Sequence, residues 1–229
     1  MEVNLKGPIH IEFYGIPGCG KSTISHMVAE RLRELGFKVY EPSYDSDHNL
    51  QPVFRKISKM FTTIFFCLSN HKEYKELQRL AKENGYINFS ASIKQIVNIV
   101  PKIKCYRKRE SAVYLWDEGL VQSAISLALN SKADIRKTEK DLFVIVGKKN
   151  TIKVYLKIDI ETALQRMEDR NSNDSRVEQE SDKNKKRLMT ARFEERCNRV
   201  SNGIVQIECS ELSAEMICNS IANRLSELI

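Results

Sequence analysis

The clearest chemistry in this 229-residue chain lies in Gly15-Ile16-Pro17-Gly18-Cys19-Gly20-Lys21-Ser22, with Thr23 behind it. The run follows the spacing G-x-x-x-x-G-K-[ST]. Its glycines let the backbone curl until successive N–H groups converge on phosphate oxygens, and a helix opening at Lys21 adds its positive end. Lys21 supplies a point charge for terminal phosphates, and the Ser22 hydroxyl is a ligand for Mg2+. The predicted cofactors are therefore ATP and Mg2+, with every residue from Gly15 to Thr23 in contact with the nucleotide. Cys19 reads as a small space-filler within the loop rather than a reactive thiol.

A second concentration of chemistry is Asp117-Glu118, closing the apolar run Ala112 to Trp116. Asp117 is expected to share Mg2+ with Ser22. Two reactions fit paired acids here: Glu118 could activate water in an ATPase or ATP-dependent switch, or a carboxylate could orient an acceptor in a small-molecule kinase. No Asn/Thr-Lys-x-Asp element lies near the end of the expected sheet, and Ser131-Lys132-Ala133-Asp134 comes too early in the chain, which argues against GTP. Arg166, Arg170 and Arg176 surround the polar stretch 169–187, expected to be a lid. Arginine grips phosphoryl oxygens with a fixed fork, and a lid that excludes water suits a kinase better than a hydrolase. The four histidines, His10, His26, His48 and His71, show no metal-ligand spacing. Phe61, Phe65 and Phe66 are expected to pack in a helical core rather than stack on a ligand.

These residues need a scaffold, and the hydrophobic pattern supplies one. Ile9 to Tyr14 is a short buried-strand run that stops at the glycines, and Ile24, Met27, Val28, Leu32 and Leu35 then recur at helical spacing before Gly36. Phe37 to Tyr40, Ala112 to Trp116, Thr151 to Ile158 and Ile204 to Cys209 are further strands, with a closing helix from Ser213 to Leu228. Strands alternating with helices predict a three-layer α/β fold of the P-loop NTPase type, its parallel sheet five-stranded, in one domain spanning 1–229. Residues 51–110 interrupt the alternation with three helical patterns and are read as an acceptor-side helical excursion.

Together these features resemble the thymidylate kinase and deoxynucleoside kinase branch of the phosphate-loop kinases. The resemblance covers most of the chain outside 51–110. It rests on Gly15 to Thr23, on Glu41-Pro42 after the second strand, on Asp117, and on Arg166, Arg170 and Arg176-Val177-Glu178. It implies phosphoryl transfer from ATP to a nucleoside or nucleoside monophosphate, with Glu41 taking the acceptor proton, the lid arginines acting on the transferred group, and a homodimeric assembly. Three departures stand out: Glu118-Gly119 follow Asp117 where Arg is usual, the loop after Pro42 lacks glycines, and Pro17 is more like the adenylate kinases. The proton acceptor is left open among Glu41, Asp117 and Glu118.

Composition narrows the partners. The chain has 37 Lys+Arg and 30 Asp+Glu, a net charge of +7. Residues 51–110 hold 13 basic and 4 acidic side chains, so the whole excess belongs to the excursion and points to an anionic acceptor or neighbour there. A kinase of nucleic-acid ends is a less favoured alternative, recognisable by steep salt dependence. The six dispersed cysteines form no Cys-x-x-Cys pair, and apolar runs such as Thr63 to Leu68 are too short to cross a bilayer. A cytoplasmic protein with reduced thiols and no membrane association is the expectation.

Overall fold

A computed structural model describes residues 3, 5–49, 51–129, 131, 133–147, 151–170, 175, 177–200, 204–210 and 212–228. Strands β1 (Ile9–Tyr14), β2 (Val39–Tyr40), β3 (Val113–Trp116), β4 (Thr151–Lys157) and β5 (Ile204–Glu208) form one sheet in the order β2-β3-β1-β4-β5. All four pairings are parallel. This is the predicted five-stranded P-loop NTPase fold. β3 is buried at every position, as expected of a strand covered by helices on both faces.

The strand order explains where a site can form. β1 is flanked by β3 on one side and β4 on the other, while the chain leaving β1 crosses over β3 to reach β2. Later strands are added on the opposite side, so the order reverses at β1, and a crevice opens at its carboxyl end. The glycine-rich loop lies there. Helix α1 (Lys21–Glu34) follows it and buries Ile24, Val28 and Leu32 of the predicted apolar stripe, together with Ala29; Met27 is half-buried, and Leu35 is exposed because the helix ends there, before Gly36.

Pro42 opens a short helix that the pattern did not reveal, α2 (Pro42–Asn49), where its missing N–H costs nothing in the first turn. The excursion then forms the three expected helices, α3 (Pro52–Ser69), α4 (His71–Glu83) and α5 (Phe89–Tyr106). Ile96, Ile99, Val100, Ile103 and Tyr106 of α5 join the central core. Of the phenylalanine cluster on α3, Phe66 is buried, but Phe61 and Phe65 are 68% and 64% exposed. Core packing thus holds for Phe66 alone, because α3 meets the protein through one narrow face and turns the others outward.

Helix α6 (Leu120–Ala128) is buried at every position except the half-buried Ser126, and its buried residues include the polar Gln122 and Ser123. Helix α7 (Ile135–Val146) is capped by the Asp134 carboxylate on Arg136 N–H. Helix α8 (Ile160–Arg170) runs into the expected lid stretch and α9 (Lys183–Asn198) begins inside it, capped by Asp182. The closing helix α10 (Ala214–Leu228) packs on α1.

Candidate active site at the phosphate loop

The loop is pressed between β4 and α8, and two of its glycines are required by that fit. A Cβ on Gly15 would lie 2.5 Å from Leu156 O of β4. One on Gly18, whose φ is +84°, would lie 2.4 Å from Ala163 O of α8. Cys19 is buried, and its sulfur would stand 2.8 Å from a Gly15 Cβ, so it fills the hollow that the missing side chain leaves.

Gln122 of α6 holds the loop from the other side. Gly15 N–H donates to Gln122 Oε1 at 3.3 Å, and Gln122 Nε2 donates to Gly15 O at 3.3 Å. This reciprocal pair fixes Gly15, the first residue of the loop, through the peptides on both sides of it, and nothing in the spacing of the motif marks it. Lys21 Nζ donates to Gly15 O at 3.2 Å and Ile16 O at 3.3 Å, which lays the ammonium across the mouth of the loop. Burial works against that charge, but the acidic groups of Cys19, Glu118, Cys197 and Asp117 outweigh it and hold Lys21 above the ordinary lysine range.

Ser22 Oγ donates to Asp117 Oδ2 at 2.8 Å, joining the start of α1 to the end of β3. Asp117 is only 8% exposed, and its second oxygen, Oδ1, is buried with no hydrogen-bond partner among the described residues. A buried carboxylate oxygen without a donor is costly unless a cation or its water completes it. The Ser22–Asp117 pair therefore fits Mg2+, and the curled glycine loop with Lys21 fits a nucleotide's phosphates. Glu118 is exposed, with its charge felt at Lys21.

Gly119, one of the departures noted above, has a tertiary cause. A Cβ there would come within 2.2 Å of the Glu12 carboxylate. Glu12, in the middle of β1, accepts Val121 N–H at 2.7 Å and the Tyr106 hydroxyl, so a strand carboxylate caps α6 just beyond Asp117. Burial raises the Glu12 pKa to about 7, against the opposing pull of Tyr106, Val121 and Lys102. An acid inside the largely apolar run Ile9 to Tyr14 was the available sequence signal for this network.

The structure does not bring Glu41 into the same group. Glu41 is 3% exposed, with Oε1 3.0 Å from His26 Nδ1 and Oε2 2.8 Å from Arg33 Nη2. At a rise of 1.5 Å per residue, these partners sit about 7 Å and 18 Å along α1 from Lys21. The His26 ring stacks on Tyr44 at 4.1 Å. Ligand atoms of His26, Glu30 and Glu41 lie within 4.8 Å of one another, but Arg33 also reaches Glu30 at 2.5 Å and supplies the cation that these carboxylates need.

The arginines around the stretch expected to be a lid divide. Arg166 is exposed, one turn beyond the Ala163 that touches Gly18. Arg170 is paired with the buried Glu178, which also accepts Ser175 N–H at 2.7 Å. Glu178 N–H returns to Ser175 Oγ at 3.2 Å. Arg176 lies outside the described residues. Several basic groups of the excursion are internal ties rather than ligand contacts. Lys102 reaches Ser123 Oγ at 2.9 Å, and Arg107 joins Asn70, Glu73 and the Ile145 carbonyl. The net charge of 51–110 is therefore a weaker pointer to an anionic acceptor than its size suggests.

No protein-family model and no curated protein matches the chain. Solved structures do. Deoxyadenosine kinase from M. mycoides with bound dCTP is similar at a TM-score of 0.53 and 18% identity, covering 95% of this chain and 99% of that one. The same enzyme with bound dATP is similar at 0.44 and 19%, covering 95% and 98%. The first of these likenesses, with the strand order, gives the chain a P-loop NTPase fold like that of the first structure over nearly its whole length.

Proposed function

We propose that this protein is an ATP-dependent kinase that phosphorylates a nucleoside or nucleoside monophosphate. The observation that carries the reading is the Ser22–Asp117 pair, with its unsatisfied buried oxygen, beside Lys21 in a braced phosphate loop. Backbone N–H groups of Gly18, Gly20, Lys21, Ser22 and Thr23 hold the phosphates of ATP, and Lys21 turns from the loop carbonyls to the terminal phosphates. Ser22 and Asp117 hold Mg2+, which neutralises charge on the phosphate oxygens when bound. Arg166, Arg170 and Arg176 act from the lid on the transferred phosphoryl group, Arg170 exchanging Glu178 for it.

Glu41, at the carboxyl end of β2, is the acceptor-side carboxylate in this reading. Taking a proton from the acceptor hydroxyl requires it to exchange Arg33 or His26 for that hydroxyl. The fold similarity supports a nucleoside acceptor, and a thymidylate-type monophosphate acceptor remains within the same class. Six free cysteines suit a reducing compartment.

The test is transfer of labelled phosphate from ATP to a panel of nucleosides and nucleoside monophosphates beside a no-acceptor control. Acceptor-dependent label in a nucleotide product is expected. Hydrolysis that proceeds equally with every addition, and falls on Glu118→Gln, would replace the kinase with an ATP-driven switch.

A further inference from the structure

Glu41 is the inner member of a pair whose outer member meets solvent. The His26 side chain is 35% exposed and that of Glu41 4%, with Nδ1 and Oε1 3.0 Å apart. Arg33 Nη2 holds the other carboxylate oxygen, Oε2, at 2.8 Å, so both oxygens of Glu41 are engaged from α1. An acceptor hydroxyl that came to this carboxylate would have to displace one of them.

The same contacts fix the imidazole. A carboxylate only accepts, so the neutral ring must carry its hydrogen on Nδ1 and donate it to Oε1. The lone pair is then on Nε2, which meets no hydrogen-bond partner among the described residues. The ring lies flat against Tyr44 of α2, with centroids 4.1 Å apart and planes within 6°. Glu30, whose carboxylate is within 4.8 Å of these ligand atoms, is taken up by Arg33 at 2.5 Å. A buried carboxylate, an imidazole oriented by it and a bare outer nitrogen are the parts of a general base.

His26 also stands in the right row of α1. Ser22 and His26 are four residues apart, so they share one face of the helix, about 6 Å apart along its axis. Ser22 Oγ donates to Asp117 Oδ2 at the end of β3. Glu41 follows β2, whose Tyr40 pairs with Tyr114 of β3. His26 is therefore the partner of Glu41 on the Ser22 side, one helical turn from the pair that fits Mg2+, whereas Arg33 lies on the far side.

We propose, on the kinase reading above, that His26 Nε2 rather than any of the three carboxylates takes the acceptor proton, and that Glu41 is the residue that positions it. As the acceptor oxygen forms its bond to the terminal phosphorus of ATP, the P–O bond to ADP breaks and the hydroxyl proton passes to the Nε2 lone pair. The ring becomes an imidazolium, balanced by Glu41 through Nδ1–H, and the proton later leaves to water from the exposed nitrogen. Glu41 keeps both of its partners throughout, which removes the exchange that direct transfer to it requires.

Transfer of labelled phosphate from ATP to the nucleoside that gives the parent most product tests the assignment. His26→Gln keeps an amide donor for Glu41 but has no basic nitrogen, and its kcat is expected to fall about 10²- to 10⁴-fold with the KM for ATP nearly unchanged. His26→Ala opens a notch at a part-exposed position, so added imidazole should restore turnover, and substituted imidazoles should restore it in order of their basicity. A ring that only braced Glu41 gives no such order. Near-parental turnover in His26→Gln overturns the proposal and leaves the kinase reading standing, as does a His26→Ala that is folded by circular dichroism and gains nothing from imidazole. A parent that yields no acceptor-dependent label overturns both.

Nitrogen-15 NMR of histidine-labelled parent reads the ring without an assay. In alkaline buffer, the resonances that disappear in His26→Gln should show hydrogen on Nδ1 and none on Nε2. Hydrogen on Nε2 overturns the proposal.

Discussion

Arg33 Nη2 stands 2.8 Å from Glu41 Oε2, so the carboxylate expected to receive the acceptor proton is held by a guanidinium on the last turn of α1. Glu41 is nearly inaccessible, while the Arg33 side chain is 37% exposed. Removing the cation leaves a buried carboxylate with His26 alone. Arg33→Met is expected to cost about 1–2 kcal/mol in urea unfolding, the figure for a buried pair discounted for solvent at the arginine. Glu41→Gln should separate the chemical role from the structural one. If Glu41 takes the proton, turnover falls about 10²- to 10⁴-fold with the KM for ATP nearly unchanged. Near-normal turnover would move the role elsewhere.

Lys21→Ala should abolish phosphoryl transfer and leave the thermal melt close to that of the parent, because the ammonium bonds only atoms of the loop itself at rest, two carbonyls and the Cys19 sulfur. Asp117→Asn should retain the contact with Ser22 but weaken the cation site. The Mg2+ concentration for half-maximal activity is expected to rise roughly 10- to 100-fold. An unchanged Mg2+ requirement would argue that Asp117 only orders the end of β3.

Gln122→Ala removes both hydrogen bonds to Gly15 without touching the phosphate site directly. Each such bond is worth about 1 kcal/mol net, so ATP binding should weaken roughly tenfold in equilibrium titration as the loop loses its brace. Gln122→Glu should restore little, since it accepts from Gly15 N–H but cannot donate to Gly15 O.

The buried Glu12 sets a pH dependence of stability. Its folded pKa is raised to about 7 from an ordinary 4.5, so between those values the folded protein holds a proton that the unfolded chain releases. The contribution is fully present below about pH 4.5, is lost as pH rises to 7, and is constant above. It amounts to about 3 kcal/mol, from 1.36 kcal/mol per pKa unit. The unfolding free energy of the parent minus that of Glu12→Gln should therefore fall by this order between pH 4.5 and 8. A difference that does not change with pH would show Glu12 ionised throughout.

How much of this was legible in the residues differs from element to element. The phosphate loop, α1 and the five strands were readable because their determinants are local: glycine spacing at Gly15 to Gly20, a 3.6-residue apolar repeat, short apolar runs between turn residues. The three helices of the excursion were readable for the same reason. Gln122 was not, since a glutamine on a buried helix declares no partner until α6 is laid beside Gly15, 107 residues away. Nor was Gly119, whose missing side chain makes room for Glu12 of another strand.

By itself, the sequence determined a phosphate-loop motif at the end of a parallel strand, an acid pair after the third strand, and a polar stretch flanked by arginines. Only the tertiary structure decided that Ser22 meets Asp117, that Glu41 rests on Arg33, that Lys102 and Arg107 are internal ties, and that α3 shows water its apolar side. Periodicity specifies that a helix has two faces, and spacing specifies a loop. Which face is covered, and which charge finds a partner, depends on surfaces brought together from distant parts of the chain, and the lowest free energy of that assembly is not a local property.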